Sequence, residues 1–337
     1  MNKKYHTIVF GCQMNTSDAE SVSAVLESKG YKKTSDMAKA NLIVVIMCSV
    51  RQSAVDRIFG LVEKFKKLKK KPKTILTGCI LKKDRKTFAS LFDEVADIKD
   101  LQNPNVASKY LNKTRVFLPI SNGCNNFCSY CVVPHTRGRL VCRSHKKIIE
   151  DARKIICGGA RELWLLGQNV NDYSSPTDKL ICFSELLKMV NDLPGKFKIF
   201  FMSPNPKNFS EKLIKVMKNC KKFSKYLNLP VQSGDNEILK KMNRPYTLQQ
   251  YIALVKKIRK TIPDINLSTD VIVGFPGETK KQFENTAKLF KKIKFNIAYI
   301  NKYSIRWGTA ASKMEDDVPW AEKKRREKVL IDIINAK

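Results

Sequence analysis

Val116-Phe-Leu-Pro-Ile-Ser-Asn-Gly-Cys-Asn-Asn-Phe-Cys-Ser-Tyr-Cys131 is the stretch on which the reading of this chain turns. An apolar run with strand character, 116–121, leads directly into three cysteines, Cys124, Cys128 and Cys131. The spacing Cys-x3-Cys-x2-Cys supplies three thiolates, one fewer than the four that usually close an iron–sulfur cubane. A four-iron cluster held this way leaves one iron without a protein ligand. Such an iron can hold and polarise a substrate or cofactor, which suits chemistry better than electron storage.

Downstream of the triplet the chain alternates between strand-like and helix-like patterns. Strands are expected at 116–121, 162–167, 198–203, 226–229, 267–274 and 296–303, with helices between them, for example at 146–157, 248–260 and 280–293. Six strand–helix units fit a laterally open barrel better than a closed eight-unit one, which takes ~250 residues. The cysteine triplet follows the first strand, at the face where such barrels carry their chemistry. Gly167-Gln-Asn-Val-Asn171, Pro230-Val-Gln-Ser-Gly234 and Gly274-Phe-Pro-Gly-Glu278 follow later strands and are expected to line a cofactor pocket with it. The final segment, 320–337, reads as a charged amphipathic helix.

Upstream, Val9-Phe10, the run 42–47 and the run 74–77 read as strands of a parallel sheet with helices between them. Ser17-Asp-Ala-Glu20 has the form of a capping box, with Gly30 as the stop of its helix. A basic amphipathic helix over 51–70 carries Val55, Ile58, Phe59, Val62 and Phe65 on one face. Cys12, Cys48 and Cys79 each stand just past a strand, and ligands of parallel sheets bind beyond the carboxyl ends of the strands. The three are therefore expected to converge as a second three-thiolate metal site.

Composition sets the outer bounds. The chain has 337 residues, 43% hydrophobic and 28% charged, a globular balance. Its ten cysteines suit metal binding better than a disulfide scaffold, which belongs to small secreted chains. The longest apolar run is far short of the ~18 residues that span a bilayer. The N-terminus lacks a signal-peptide pattern, so a cytoplasmic protein with no membrane partner is expected. Against 31 Asp and Glu stand 64 Lys and Arg, a net charge of +33 that favours a polyanionic partner. Cys142, Cys157, Cys182 and Cys220 receive no role, nor do His6, His135 and His145.

Together these residues resemble one family. Cys-x3-Cys-x2-Cys with Tyr130 before its last cysteine is the signature of radical S-adenosylmethionine (SAM) enzymes. A preceding domain with three separated cysteines resembles the methylthiotransferases among them. Gly11-Cys-Gln-Met-Asn15, Cys131-Val-Val-Pro134, Thr136-Arg-Gly138, Leu165-Leu-Gly-Gln-Asn-Val-Asn171 and Leu229-Pro-Val-Gln-Ser-Gly234 are similar to the branch acting on isopentenyl-adenosine in tRNA. So are Met242-Asn-Arg-Pro-Tyr-Thr247 and Asp270-Val-Ile-Val-Gly-Phe-Pro-Gly-Glu-Thr279. At Leu81-Lys-Lys83, at Pro204-Asn205-Pro206 and at Trp307, where proline is usual, the chain departs from that pattern.

The resemblance implies an N-terminal parallel-sheet α/β domain at 1–107, an open six-unit (βα) partial TIM barrel at 113–305 and a C-terminal helical tail at 306–337. The β-rich RNA-binding domain that usually follows the barrel is expected to be absent. It further implies one 4Fe–4S cluster on Cys124, Cys128 and Cys131, which binds and cleaves SAM, and a second on Cys12, Cys48 and Cys79, from which a methylthio group passes to carbon 2 of the adenine. Tyr130, Gln168, Asn169, Gln232, Ser233 and Gly274 are its candidate cofactor contacts. The implied partners are the tRNA anticodon stem–loop and an external electron donor of flavodoxin or ferredoxin type. A sister enzyme acting on threonylcarbamoyl-adenosine and an iron–sulfur RNA-binding protein that has lost catalysis are the alternatives. Gly11-Cys-Gln-Met-Asn15 speaks against the first, and the full set of six ligands against the second.

Overall fold

The structure, a computed structural model, describes residues 3–50, 52–103, 106, 110 and 112–336. The chain divides into two compact units. The first comprises Met1–Lys113, Val132–Gly138 and Arg306–Gly308, and the second Thr114–Cys131, Arg139–Ile305 and Thr309–Lys337.

The first unit runs β1 (Lys4–Val9), α1 (Gln13–Ser28), β2 (Lys32–Lys33), β3 (Leu42–Cys48), α2 (Gln52–Lys66), β4 (Lys73–Cys79), α3 (Lys82–Ala89) and β5 (Glu94–Val95). Its five strands lie in the order β2-β1-β3-β4-β5, all parallel. Every residue of β3 is buried, because helices cover the sheet on both faces. Ile43, Val45 and Met47 pack with Val55, Ile58, Leu61, Val62 and Phe65 of α2. The alternate residues Leu42, Val44 and Ile46 pack with Ala19 and Val22 of α1. Each such side chain contributes about 1.5–3 kcal/mol as it leaves water.

Two local expectations fail here. α1 begins at Gln13 with Cys12 as its N-cap, so Ser17 and Glu20 lie buried inside the helix and form no capping box. The chain turns into the helix directly after β1, so the first turn is over before Ser17 is reached. Phe59 is 45% exposed, because the buried stripe of α2 runs through Leu61 instead.

The remaining elements are β6 (Arg115–Pro119), β7 (Ser121–Asn122), α4 (Val133–Thr136), β8 (Val141–Cys142), α5 (His145–Cys157), β9 (Glu162–Leu166), α6 (Phe183–Asn191), β10 (Lys198–Phe201) and α7 (Glu211–Asn219). There follow β11 (Tyr226–Asn228), α8 (Asn236–Lys241), α9 (Leu248–Thr261), β12 (Asn266–Val273), α10 (Lys280–Ile293), β13 (Ile297–Lys302) and α11 (Trp320–Asn335). Of these, α4 groups with the first unit. In the second unit β6, β9 and β10 form one parallel sheet and β11, β12 and β13 another, joined by a parallel bridge between Ile199 and Phe223. Spatial order thus follows chain order across six strands. Among the described residues no pairing joins β13 back to β6, so this is the open six-unit barrel.

Covering helices show the 3.6-residue period: α10 buries Phe283, Thr286, Leu289, Phe290 and Ile293. Thr247 with Gln250 and Thr279 with Gln282 form reciprocal capping boxes that start α9 and α10. α11 packs on β13 and α10 but buries Lys323 and Arg326 beside Leu330. The Lys323 ammonium reaches Asp316 at 2.5 Å, and Arg326 reaches Glu278 at 2.7 Å. No helix among the described residues is long and apolar enough to cross a membrane.

Gly78 holds the end of β4 at φ +108, where a Cβ would collide with the Met47 carbonyl oxygen of β3. Gly78→Ala is expected to cost about 1–3 kcal/mol, read as a lowered urea midpoint. An unchanged midpoint would mean that the β3–β4 approach is looser than described.

Candidate metal centres

Cys124, Cys128 and Cys131 occupy the loop between β7 and α4, at the carboxyl end of β6. β7 and β8 pair as a short antiparallel ribbon that closes the base of this loop. The loop is pinned by its own unit at several points. Gly123 N donates to Gln168 Oε1 at 2.6 Å, and Ser129 Oγ donates to the Lys241 carbonyl at 2.7 Å. Asn243 Nδ2 donates to the Phe127 carbonyl at 2.7 Å. Cys124 and Cys128 are buried and Cys131 is half-buried.

Each buried sulfur has a donor aimed at it. Asn126 offers its backbone N–H at 3.4 Å and its amide at 3.6 Å to Cys124 Sγ. Burial pushes the Cys124 thiol up, and these bonds pull against it. Arg244 Nη1 lies 3.5 Å from Cys128 Sγ, while its other nitrogens reach Tyr246 Oη and the Pro230 carbonyl. Burial disfavours the Arg244 charge, but Tyr130, Tyr246 and Cys128 together more than restore it. Burial also pushes the Tyr130 phenol up, against the pull of Arg244.

The other candidate contacts stand on loops at the same strand ends. Asn169 is 2% exposed; its Nδ2 donates to Asp172 at 2.5 Å, and its Oδ1 has no partner. Ser121 Oγ is likewise buried without a partner, and a Cβ on Gly167 would lie 2.6 Å from it. Gln168 spends its carbonyl on the cysteine loop, and Ser233 Oγ accepts from Asp235 N at 3.2 Å. Gln232 sits in the left-handed region at φ 69 while bridging to Val271 of β12. The Gly274 N–H donates to Glu278 Oε2 at 2.6 Å, and Lys323 methylenes fill the space where its Cβ would be.

In the first unit the parallel pairing of β3 with β4 puts Cys48 and Cys79 side by side in register. Cys12 enters from the end of β1. Its sulfur lies 3.6 Å from Asn15 Oδ1, and the Cys79 sulfur lies 3.9 Å from the same oxygen. The contact with Cys79 pulls the Cys48 thiol down, while the contact with Cys48 and burial together push the Cys79 thiol up. Cys12 is exposed, yet the protein packed around its sulfur still pushes the thiol up, opposed by its bond at Asn15. Arg137 Nε donates to Cys79 Sγ at 3.0 Å, and its Nη2 reaches Asn15 Oδ1 at 3.2 Å and Asp18 Oδ2 at 2.6 Å. Burial opposes the Arg137 charge, yet Cys79 and Asp18 hold it above the ordinary arginine value.

Among the described residues no three His, Cys, Asp or Glu side chains crowd closely enough for a single metal ion. A four-iron cluster asks for a wider triangle, since each thiolate takes a different corner. Both triplets are compatible with that demand: none of the six cysteines is spent in a disulfide, and in each a buried guanidinium reaches one of the sulfurs, ready to balance anionic charge. The partnerless Ser121 Oγ and Asn169 Oδ1 fit a polar cofactor beside the first triplet. Arg137, Asp18, Asn15 and Arg244 were present in the quoted motifs, but nothing in their spacing tied them to a sulfur.

The Radical SAM superfamily matches residues 118–290, and the uncharacterized protein family UPF0004 matches residues 4–98. An open barrel with this cysteine loop, preceded by such a domain, defines a radical SAM protein, a class that binds a 4Fe–4S cluster and SAM. The tRNA-2-methylthio-N(6)-dimethylallyladenosine synthase of Clostridium novyi (strain NT) is 37% identical over 368 aligned positions, covering 99% of this chain and 81% of its own. Its counterpart in Thermoanaerobacter sp. (strain X514) is 38% identical, covering 99% and 78%. The chain belongs to the tRNA-2-methylthio-N(6)-dimethylallyladenosine synthase family. In fold it is also similar to the radical SAM methyltransferase TsrM from Kitasatospora setae, with a TM-score of 0.64 at 13% identity over 93% of this chain and 77% of that one.

The Arg137–Asp18 pair is almost wholly buried, its side chains 3% and 8% exposed. Arg137→Met should strand the Asp18 carboxylate and cost about 3–5 kcal/mol in urea unfolding. The double variant Arg137→Met/Asp18→Leu should recover much of that loss. Equal losses in single and double variants would show that the pair is not what holds this corner together.

Proposed function

We propose that this protein adds a methylthio group to carbon 2 of isopentenyl-adenosine in tRNA, next to the anticodon. The observation that carries the reading is the alignment of the chain over 99% of its length with synthases named for that product, and the register pairing of Cys48 with Cys79 supports a second thiol site within it.

Cys124, Cys128 and Cys131 are the residues that would hold the SAM-binding cluster, and Cys12, Cys48 and Cys79 those that would hold a second one. When bound, a cluster with one open iron supplies both a coordination site and the electron that cleaves SAM. The protein's own work is to position and to shield. Arg244 and Arg137 balance thiolate charge where water is excluded, which makes each interaction stronger than it would be in solvent. Asn126 orients Cys124, and Gln168 fixes the turn that begins at Gly123. Asn169 Oδ1 and Ser121 Oγ are unspent acceptors for the polar groups of SAM. Tyr130, Gln232, Ser233 and Gly274 would complete that pocket. No acid–base pair is required of the side chains. The electron comes from a flavodoxin- or ferredoxin-like protein, and the reaction takes place in the cytoplasm.

Nucleoside mass spectrometry tests this on tRNA from a host that lacks its own methylthiotransferase and expresses this chain. Appearance of 2-methylthio-isopentenyl-adenosine supports the assignment. Unmodified isopentenyl-adenosine, with protein present and iron loaded, would count against it. Cys124→Ala should abolish SAM cleavage. Cys48→Ala should retain cleavage yet form no methylthiolated product, and full-rate product from that variant would remove the second cluster from the reading. With a net charge of +33, tRNA affinity should fall steeply and linearly in log–log fashion with salt. A flat response in filter binding would dissociate the charge from the substrate.

A further inference from the structure

Trp307 is 53% exposed, an unusual place for an indole that could have joined a core. It is nevertheless held firmly. Its neighbour Arg306 is buried, donating from Nε to the Val50 carbonyl at 3.1 Å and from Nη1 to Gln52 Oε1 at 2.6 Å. Gly308, at φ +90, turns the chain away immediately afterwards. Lys83 places its ammonium 4.1 Å from the centre of the indole ring. Val50 is 49% exposed on the residue that Arg306 grips.

The position of this surface gives it meaning. Val50 lies two residues past Cys48, and Lys83 four residues past Cys79. Arg306–Gly308 groups with the unit that carries these cysteines. The flat, cation-capped ring therefore stands on the chain segments that leave the Cys48 and Cys79 strand ends. Two of the places where the sequence departs from the pattern of its family, Lys83 and Trp307, meet here.

We propose that Trp307 is a stacking platform for an unpaired base of the RNA loop, and that Lys83 meets the adjoining phosphate. This rests on the functional reading above. If sulfur is delivered from the Cys12–Cys48–Cys79 site, the acceptor base has to come to that site, and its unpaired neighbours pass over the surface beside it. Single-stranded bases are recognised by stacking on exposed aromatic rings, and a nearby lysine supplies the phosphate contact. An exposed indole with a cation at one face offers both. The strongly basic chain around it, +33 overall, selects RNA over a basic or neutral partner.

The test uses the full-length, iron-loaded protein and a synthetic anticodon stem–loop RNA carrying isopentenyl-adenosine, with affinity read by fluorescence anisotropy. Trp307→Ala should weaken binding about ten-fold, the order of one lost base stack, and Trp307→Phe should restore most of it. Lys83→Gln should lower the slope of log affinity against log salt by about one, the signature of one lost phosphate contact. SAM cleavage without RNA should be unchanged in all three variants, since none of these residues belongs to either thiol site. The platform is overturned if Trp307→Ala binds the RNA as the unaltered protein does, or if it slows reduction by a flavodoxin-type donor while RNA affinity holds. It is also overturned if RNA-independent SAM cleavage falls along with binding, because the tryptophan would then be structural. Failure of the functional reading looks different: the unaltered protein would form no methylthiolated nucleoside, whatever the variants do to binding.

Discussion

Parallel pairing is the constraint on which the rest of this structure depends. Parallel strands joined by helical crossovers must all end on the same edge of the sheet, so residues at or just past the end of each strand meet there whatever their separation in sequence. In the first unit this brings Cys12, Cys48 and Cys79 to one edge, with the last two in direct register. In the second it gathers the cysteine loop after β6, the Gly167–Asn171 loop after β9 and the Gly274–Glu278 loop after β12 at one end of the barrel. The constraint lives in backbone hydrogen bonds, so it holds before any side chain at the site is chosen.

Burying thiols in groups has an electrostatic cost, and the structure meets it with arginine in both units. A guanidinium is charged at any physiological pH, is less strongly hydrated than an ammonium and can divide its donors between several acceptors. Arg137 divides them among Cys79, Asn15 and Asp18; Arg244 among Cys128, Tyr246 and Pro230. Neither would be tolerated at such depth without these partners. The same logic explains why α11 buries Lys323 and Arg326. Arg326 meets the Glu278 carboxylate, which itself accepts the Gly274 N–H, so one ion pair fixes a loop at the strand ends. Burial raises the Glu278 carboxyl above its usual range, and the bonds from Gly274 and Arg326 oppose that rise.

How far the sequence could be read follows from the range of the interactions involved. Strand and helix identities were legible because hydrophobic periodicity is local: the run at 42–47 is buried throughout, and the six barrel strands lie where the alternation puts them. The convergence of Cys12, Cys48 and Cys79 was also legible, since strand-end position alone implies it. Ser17 and Glu20 misled because a capping box is a short pattern that is equally compatible with a helix interior, and the true start depended on the turn after β1. Phe59 misled because it sits at the margin of its helical stripe, where a small rotation decides which residue faces inward.

By itself, the sequence determined the number and type of thiols, the order of strands and helices and hence the family to which the chain belongs. All of these are written in residue identity and short-range spacing. Only the tertiary structure decided which partners reach the sulfurs, that α11 buries two cations against the barrel, and that Lys83 covers Trp307. Those contacts join residues as far apart as Asp18 and Arg137, or Lys83 and Trp307. No periodicity encodes such a pair, because its energy exists only once the backbone has brought the two side chains within reach.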